Sequence, residues 1–316
     1  MRRLIIQRLL ALVPILFGIT FFSFALMHLA GGDAVLARVD ASGVQLSAEA
    51  LAAERARLGL DKPFLVQYLI WLEGFLRGDL GVSYVSGEDV FATFLSKLPA
   101  TLLLAAMSML LTLVISIPLG ILAAVWQNRA TDFIIRAASF VGNSLPNFFV
   151  ALVLMMLFSI RIPLFPVIAE RTSLASAVLP TLTLAIAMSS RYLRQVRAAV
   201  LEELSKVYVL GARARGIPFR TTLVKSVLRA ALSTIMTLLA LSCGSLLGGT
   251  AVVETIFMWD GVGKLAVDAV SMRDYPMIQA YVVWMALIYV LINLLTDLLQ
   301  PIIDPRLREG GASDER

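Results

Sequence analysis

Long apolar stretches alternate with short polar ones along most of this chain. A helix needs about 20 mostly apolar residues to cross the hydrocarbon core of a bilayer. Six segments meet that need: Leu9–Ala30, Leu98–Val125, Phe133–Ile160, Leu174–Ser190, Ala230–Val253 and Met277–Leu299. The pattern predicts an all-α membrane protein with six transmembrane helices. Pro14, Pro118 and Pro146 fall inside these spans, where neighbouring helices can re-satisfy the carbonyls that proline frees. The first apolar run is too long for a cleaved leader, and no small-residue cleavage site precedes a mature soluble domain.

The polar segments set the orientation, because Lys and Arg concentrate on the cytoplasmic side. With the N-terminus inside, segments 1–8, 126–136, 191–229 and 300–316 are cytoplasmic and hold 17 of the 27 basic residues. Acidic residues run the other way, with 14 of 22 outside. Both termini are therefore expected in the cytoplasm, with 31–97 as an external loop. That loop reads as structured. Ser47 can cap a helix carrying Leu51, Ala52 and Leu58, and Gly59 can end it. Leu65–Leu76 then shows helical spacing, with Tyr68 and Trp71 suited to the headgroup layer.

Composition narrows the chemistry. Mean hydropathy is +0.85 and only 16% of residues are charged, against about a quarter in a soluble domain. The single cysteine, Cys243, excludes an internal disulfide, and with one histidine, His28, the chain is a poor host for a soft metal. The net charge of +5 follows membrane topology rather than a nucleic-acid surface. An intramembrane enzyme would need a convergent nucleophile, base or ligand set, and none is visible. A secondary transporter driven by an ion gradient is the alternative function. Such proteins usually carry inverted repeats and ionisable groups at the midplane, and neither is found in the sequence.

Segment 191–229 stands apart. Leu193, Val196, Val200, Leu204, Val207 and Leu210 or Gly211 recur at intervals of three and four, giving an apolar stripe on a helix that continues out of the fourth span. Gly216 can end that helix, and Pro218 suits the start of the next, whose stripe is Phe219, Leu223, Val227 and Ala230. Small Gly211, Ala212 and Ala214 admit a partner surface, and Arg213 and Arg215 suit an acidic rim. From pattern alone, a stiff protrusion that transmits force and an ordinary basic cytoplasmic loop remain equally open.

A resemblance bears on that choice. Tyr208–Gly216, YVLGARARG, resembles the coupling motif of ABC importer permeases of the dipeptide, oligopeptide and nickel family. RRLIIQRLLALVPILFGITFFSF is similar to that family's N-terminus, and LGLDKPFLVQYLIWL with GDLGVS to its external loop. LPATLLLA, SIPLGILAA and SLPNFFVALVL resemble its second and third spans, and ETIFMWDGVGKLAVDAVSMRDYPMIQ and DPRLR its C-terminal third. The opening Arg-Arg-Leu before the first span resembles the first of the two permease types in such systems. Two departures stand out: Leu210, Gly211 and Ala212 occupy the place of Glu-Ala-Ala, and Ser233-Thr234 falls near the usual Leu-Pro.

The resemblance implies a permease domain over 1–308, a disordered tail at 309–316 and a coupling helix between spans four and five. Gly211, Ala212, Arg213, Ala214, Arg215 and Gly216 would contact the ATPase. It implies a second permease, two cytoplasmic ATPase subunits that bind ATP and Mg, an extracytoplasmic binding protein, and the bacterial inner membrane as location. No G-x-x-x-x-G-K-[ST] loop occurs in the chain, so no cofactor is expected here. The cargo implied is nickel, as a chelate, or short peptides; Leu246–Thr250, LLGGT, leans slightly to the nickel branch.

Among the remaining polar residues, Asn143 and Asn147 flank Pro146 and could line a path or bond across helices. Glu254 could serve transport, cap the next segment or pair with Arg273. Gly244 and Gly248 form a small-residue step suited to helix packing. Asp297 is expected at the inner interface, and His28 at the outer end of its helix.

Overall fold

The structure is a computed structural model. It describes residues 2–29, 35–36, 39, 47–167 and 173–303, with the backbone alone at 2–9, 239–245, 247, 296–297 and 299–303. The tail at 309–316 and the side chains of Cys243 and Asp297 lie outside the described residues. Among those described, regular structure is helical, apart from one isolated bridge between Val82 and Asp89.

The helices are α1 (Arg2–Leu29), α2 (Ala48–Arg57), α3 (Phe64–Leu76), α4 (Val90–Val125), α5 (Ala130–Ser144), α6 (Asn147–Met155), α7 (Leu174–Leu204), α8 (Val207–Ala214), α9 (Phe219–Thr222), α10 (Leu228–Ile256), α11 (Val262–Met272) and α12 (Tyr275–Ile303). Wide π-turns follow α6 at Met156–Arg161 and join α9 to α10 at Leu223–Val227. Four helices are long and apolar enough to cross a membrane, within Leu10–Leu29, Val90–Val125, Leu174–Leu204 and Tyr275–Leu295. α5 and the helix from Asn147 to Arg161 make a fifth span if taken as one broken element, bent by 98°. α10 is continuous for 29 residues, but side chains at its centre lie outside those described. Against the six spans expected, the described residues thus give four clear spans and one broken one.

Two elements differ from the sequence reading. Phe133–Ile160 reads as one span, yet the chain turns sharply at Leu145-Pro146. Pro146 has no N–H for the helical ladder, and the residue before a proline is driven to extended backbone. Leu145 is extended accordingly (φ −86°, ψ 129°). The second difference follows the fourth span, where α7 runs on to Leu204 as one rod of 31 residues, about 46 Å long. It stops seven residues before Gly211. Ser205 Oγ donates to Glu202 O at 2.7 Å, a local bond that competes with the helix, and Lys206 is extended (φ −72°, ψ 150°). Glu203 spans this break, accepting from Lys206 Nζ and from Tyr208 OH at 3.0 Å.

The chain divides into two compact units, Met1–Leu102 with Met258–Val290, and Leu103–Phe257 with Leu291–Arg316. In the first, Ser47 caps α2 through the Ala50 N–H, and Gly59 follows it at φ 69°. Tyr68 lies buried between α1 and α3. Its ring meets Phe17, Phe21, Phe24 and Trp71, and its OH shares a 3.1 Å bond with Thr20. Aromatic pairs of this kind add about 0.5–1.5 kcal/mol beyond the area they bury. Trp259, fully buried, donates to Ala100 O at 3.0 Å, and the Val262 N–H to Thr101 Oγ1 at 2.9 Å. Asp274 accepts from Ser83 Oγ and from the Tyr84 N–H, tying Gly78–Ser83 to the turn before α12.

In the second unit α7 is the axis. Its residues Tyr192, Val196, Ala199 and Val200 form one core with Ala124, Val209, Val227, Ala231 and Ile235. α4 presents small residues every fourth position, Ser108, Thr112, Ser116, Gly120 and Ala124, and all five are buried. A Cβ at Gly120 would stand 2.7 Å from Val196 Cβ and 3.0 Å from Leu193 O, so α4 and α7 meet almost backbone to backbone. Gly142 of α5 makes a second close approach to α7: a Cβ there would stand 2.2 Å from Ser190 Oγ.

Candidate functional site

The bend at Leu145-Pro146 opens a cavity of about 210 Å3 in the second unit. Asn143 and Asn147 line it from the two sides of the break, Leu184, Met188 and Arg191 from α7, and Leu246 and Gly249 from α10. Neither amide nor the Arg191 guanidinium has a hydrogen-bond partner among the described residues. A Cβ at Gly249 would be 3.9 Å from Asn147 Nδ2, so the small residue leaves this wall open. The two asparagines that flank Pro146 are thus brought together in one cavity. Glu254 is not part of it; that carboxyl is fully buried on α10 and engaged. Gly248 faces open space, and a Cβ there would meet nothing within 4 Å. His28 lies against the Phe64 ring at 5.3 Å.

A second opening, about 550 Å3, lies on α5 and α7 between Phe133, Phe140, Arg136, Arg194 and Arg197. Beneath it Asp132, 1% exposed, receives two bonds from Arg197, Nε at 2.8 Å and a terminal nitrogen at 2.9 Å. The Asn128 N–H adds a third at 3.0 Å, made possible by the left-handed backbone of Asn128 (φ 62°). Such a forked carboxylate–guanidinium pair is strong and directional. It pins the start of the broken span to the α7 rod.

The corner after α7 holds Gly211–Gly216; Ala212, expected to admit a partner surface, is instead buried because its side of α8 faces inward. α8 packs Val209 into the α7 core, with Ala212 buried on the same side. Its opposite face leaves Val207 at 82% and Leu210 at 62% exposure, with Ala214 also exposed. Gly216 ends it at φ 73°, with the Gly216 N–H bonded to Arg213 O at 2.9 Å and the Ile217 N–H to Ala212 O at 3.1 Å. This is the left-handed helix stop that glycine favours. Pro218 leads into α9. Arg213 sits over the Phe219 ring at 5.6 Å, a cation–π contact that braces the corner from inside. Arg215 projects without a partner among the described residues.

Residues 116–309 match the family described as the inner membrane component of binding-protein-dependent transport systems, and residues 1–105 match its N-terminal component. The chain belongs to this family. The permease is 38% identical over 313 residues to the oligopeptide transport system permease protein AppB of Bacillus subtilis, covering 96% of this chain and 98% of that one. It is 36% identical over 304 residues to the glutathione transport system permease protein GsiC of Escherichia coli K12, with the same coverage. An inward-facing structure of the MetNI methionine ABC transporter shares its fold, with a TM-score of 0.55 at 17% identity over 67% of this chain and 97% of that one. Family members are non-catalytic, multi-pass inner-membrane subunits of ABC transporters. A second permease, an ATPase and a binding protein belong to that kind of assembly.

Sequence reasoning does not find Arg191, the Asp132–Arg197 pair, or the contacts of Gly120 and Gly142. Gly120 carries a readable signal in the fourfold spacing of small residues along α4. The ion pair joins positions 65 apart, and no local pattern announces it.

Proposed function

We propose that the chain is the first permease of a heterodimeric pair, with six spans and both termini in the cytoplasm, importing short peptides or a nickel chelate. Residues 1–308 form the permease domain. Two ATPase subunits binding ATP and Mg serve the pair, coupling to this chain at the corner Gly211–Gly216, and an external binding protein delivers cargo to 31–97 and 254–276. The relatives named for oligopeptide and glutathione transport support the peptide arm. One observation carries the reading: a short helix with one face in the α7 core and the opposite apolar face uncovered. Such a face needs a partner surface, and the rigid stop at Gly216 lets it transmit force. Closure of the ATPases would move α8, and α7 would carry that motion to the cavity at Asn143 and Asn147, opening it to alternate sides.

The test uses the assembled transporter with its binding protein. Gly216→Pro cannot hold φ 73°, and Leu210→Asp places a charge on the docking face. Both are expected to insert and assemble with the second permease yet lose uptake, with ATP hydrolysis no longer stimulated by the loaded binding protein. Arg213→Glu should act in the same direction. Variants that transport at the parent rate would refute the docking assignment.

A further inference from the structure

We propose that the cavity at the bent span is an anion subsite, in which Arg191 receives a carboxylate of the cargo and Asn143 and Asn147 orient it. The inference rests on the importer reading above and names the cargo chemistry of the same cavity.

Three observations converge. First, Arg191 is the one charged group lining the cavity among the described residues; the other walls are Asn143, Asn147, Tyr192 and apolar or small residues. Second, Arg191 has no acidic partner among the described residues; it shares this with Arg194 and Arg215, but neither of those lines the cavity. A guanidinium is always charged and presents a planar fork of donors that fits a carboxylate. Arg191 stands at the end of its span and is exposed on the cavity wall, so its charge is open to an incoming anion. Third, the two amides stand on opposite sides of the broken helix and are also unpartnered among the described residues. Each offers both a donor and an acceptor, so they can bond a peptide's amide groups while the guanidinium holds its carboxylate.

The chemistry discriminates between cargoes. A bare divalent cation meets a fixed positive charge and no carboxylate, so this cavity opposes it. A peptide with a free C-terminus fits, and so does a metal held inside an anionic chelate. The cavity is open to solvent, so the contact is hydrated and is worth about tenfold in apparent affinity, the low end for a charge-assisted bond.

The experiment measures uptake by the assembled transporter of radiolabelled trialanine, of glutathione, and of 63Ni2+ with and without a carboxylate chelator. Arg191→Lys keeps the charge; Arg191→Gln and Arg191→Glu remove and reverse it. ATP hydrolysis and recovery of the complex are followed in each variant. Expected are uptake of at least one carboxylate cargo by the parent, a rise of about tenfold in its KM for Arg191→Gln, a larger loss for Arg191→Glu, and partial rescue by Arg191→Lys, with ATP hydrolysis kept. Parent-like uptake in Arg191→Gln and Arg191→Glu overturns the subsite and leaves the importer reading intact. Uptake of chelator-free 63Ni2+ that improves in Arg191→Glu also overturns it. A parent complex that carries none of the probes overturns the importer reading, and the subsite falls with it.

Discussion

Replacing Asp132 with Asn tests how firmly the broken span is fixed to the α7 rod. The change is isosteric and keeps an acceptor for the Asn128 N–H at 3.0 Å. It removes the charge that Arg197 meets with two bonds at 2.8 and 2.9 Å. Removing one partner of a buried pair costs about 3–5 kcal/mol, because the other charge is left unpaired. Asp132 is 1% exposed but Arg197 is 17% exposed, so water recovers part of that charge's solvation. The expected loss falls at or just below the low end of that range, about 2–3 kcal/mol. Arg136, 3.9 Å from the carboxylate, is too distant and too exposed to replace the fork. The assay is equilibrium unfolding of the purified chain in mixed micelles, run as a double-mutant cycle with Arg197→Gln. A coupling energy of about 1–3 kcal/mol is expected for residues in direct contact. Strictly additive effects of the two changes would show that the pair does not hold the helices together, and the reasoning would fail.

Other expectations follow from the same geometry. Gly120→Ala forces α4 and α7 apart, since Val196 Cβ and Leu193 O cannot rotate away; overpacking of about 1–3 kcal/mol outweighs a helix-propensity gain of about 1 kcal/mol, and the apparent melting temperature should fall. Gly248→Ala meets nothing within 4 Å, so the same measurement on the isolated chain should show no loss. Tyr84, half-buried beside Asp274 and Tyr275, has its phenol pushed up to about 12 by that burial and by the neighbouring charge. Its contribution to stability is complete below the ordinary tyrosine value of about 10 and disappears as pH rises through about 12. Ultraviolet difference titration of the parent against Tyr84→Phe should find this phenol ionising above the ordinary tyrosine value.

The spans are largely legible in the sequence because hydrocarbon thickness imposes a length that composition alone reveals. α2 is legible to the residue, since Ser47 and Gly59 are local signals with local causes. The corner at Gly216 is readable for the same reason. The bend at Leu145-Pro146 is not, because a proline inside a span can be absorbed or can break it, and the packing of α5 and α6 decides which. The break at Ser205 stays hidden because the apolar stripe runs straight across it; only the side-chain bonds of Ser205 and Glu203 separate α7 from α8. At the cavity, Asn143 and Asn147 can be nominated from their place beside Pro146. Arg191 cannot, since a basic residue at a span's end already has a topological explanation. Glu254 is a candidate on the same grounds as the asparagines, and tertiary structure alone reveals that it lies buried outside their cavity.

Val196 and Ser190, the two points where glycines press on α7, lie six positions apart. On a helix that is about 9 Å along the axis and roughly 240° around it. The rod is clasped at two heights and from two directions. A slip of one residue along its length, about 1.5 Å, would drive the Val196 methyls into the backbone of α4. Axial sliding is therefore blocked, while a pivot that carries the clasping helices along keeps both contacts. Any stroke delivered at the far end must travel as a tilt of the three helices together.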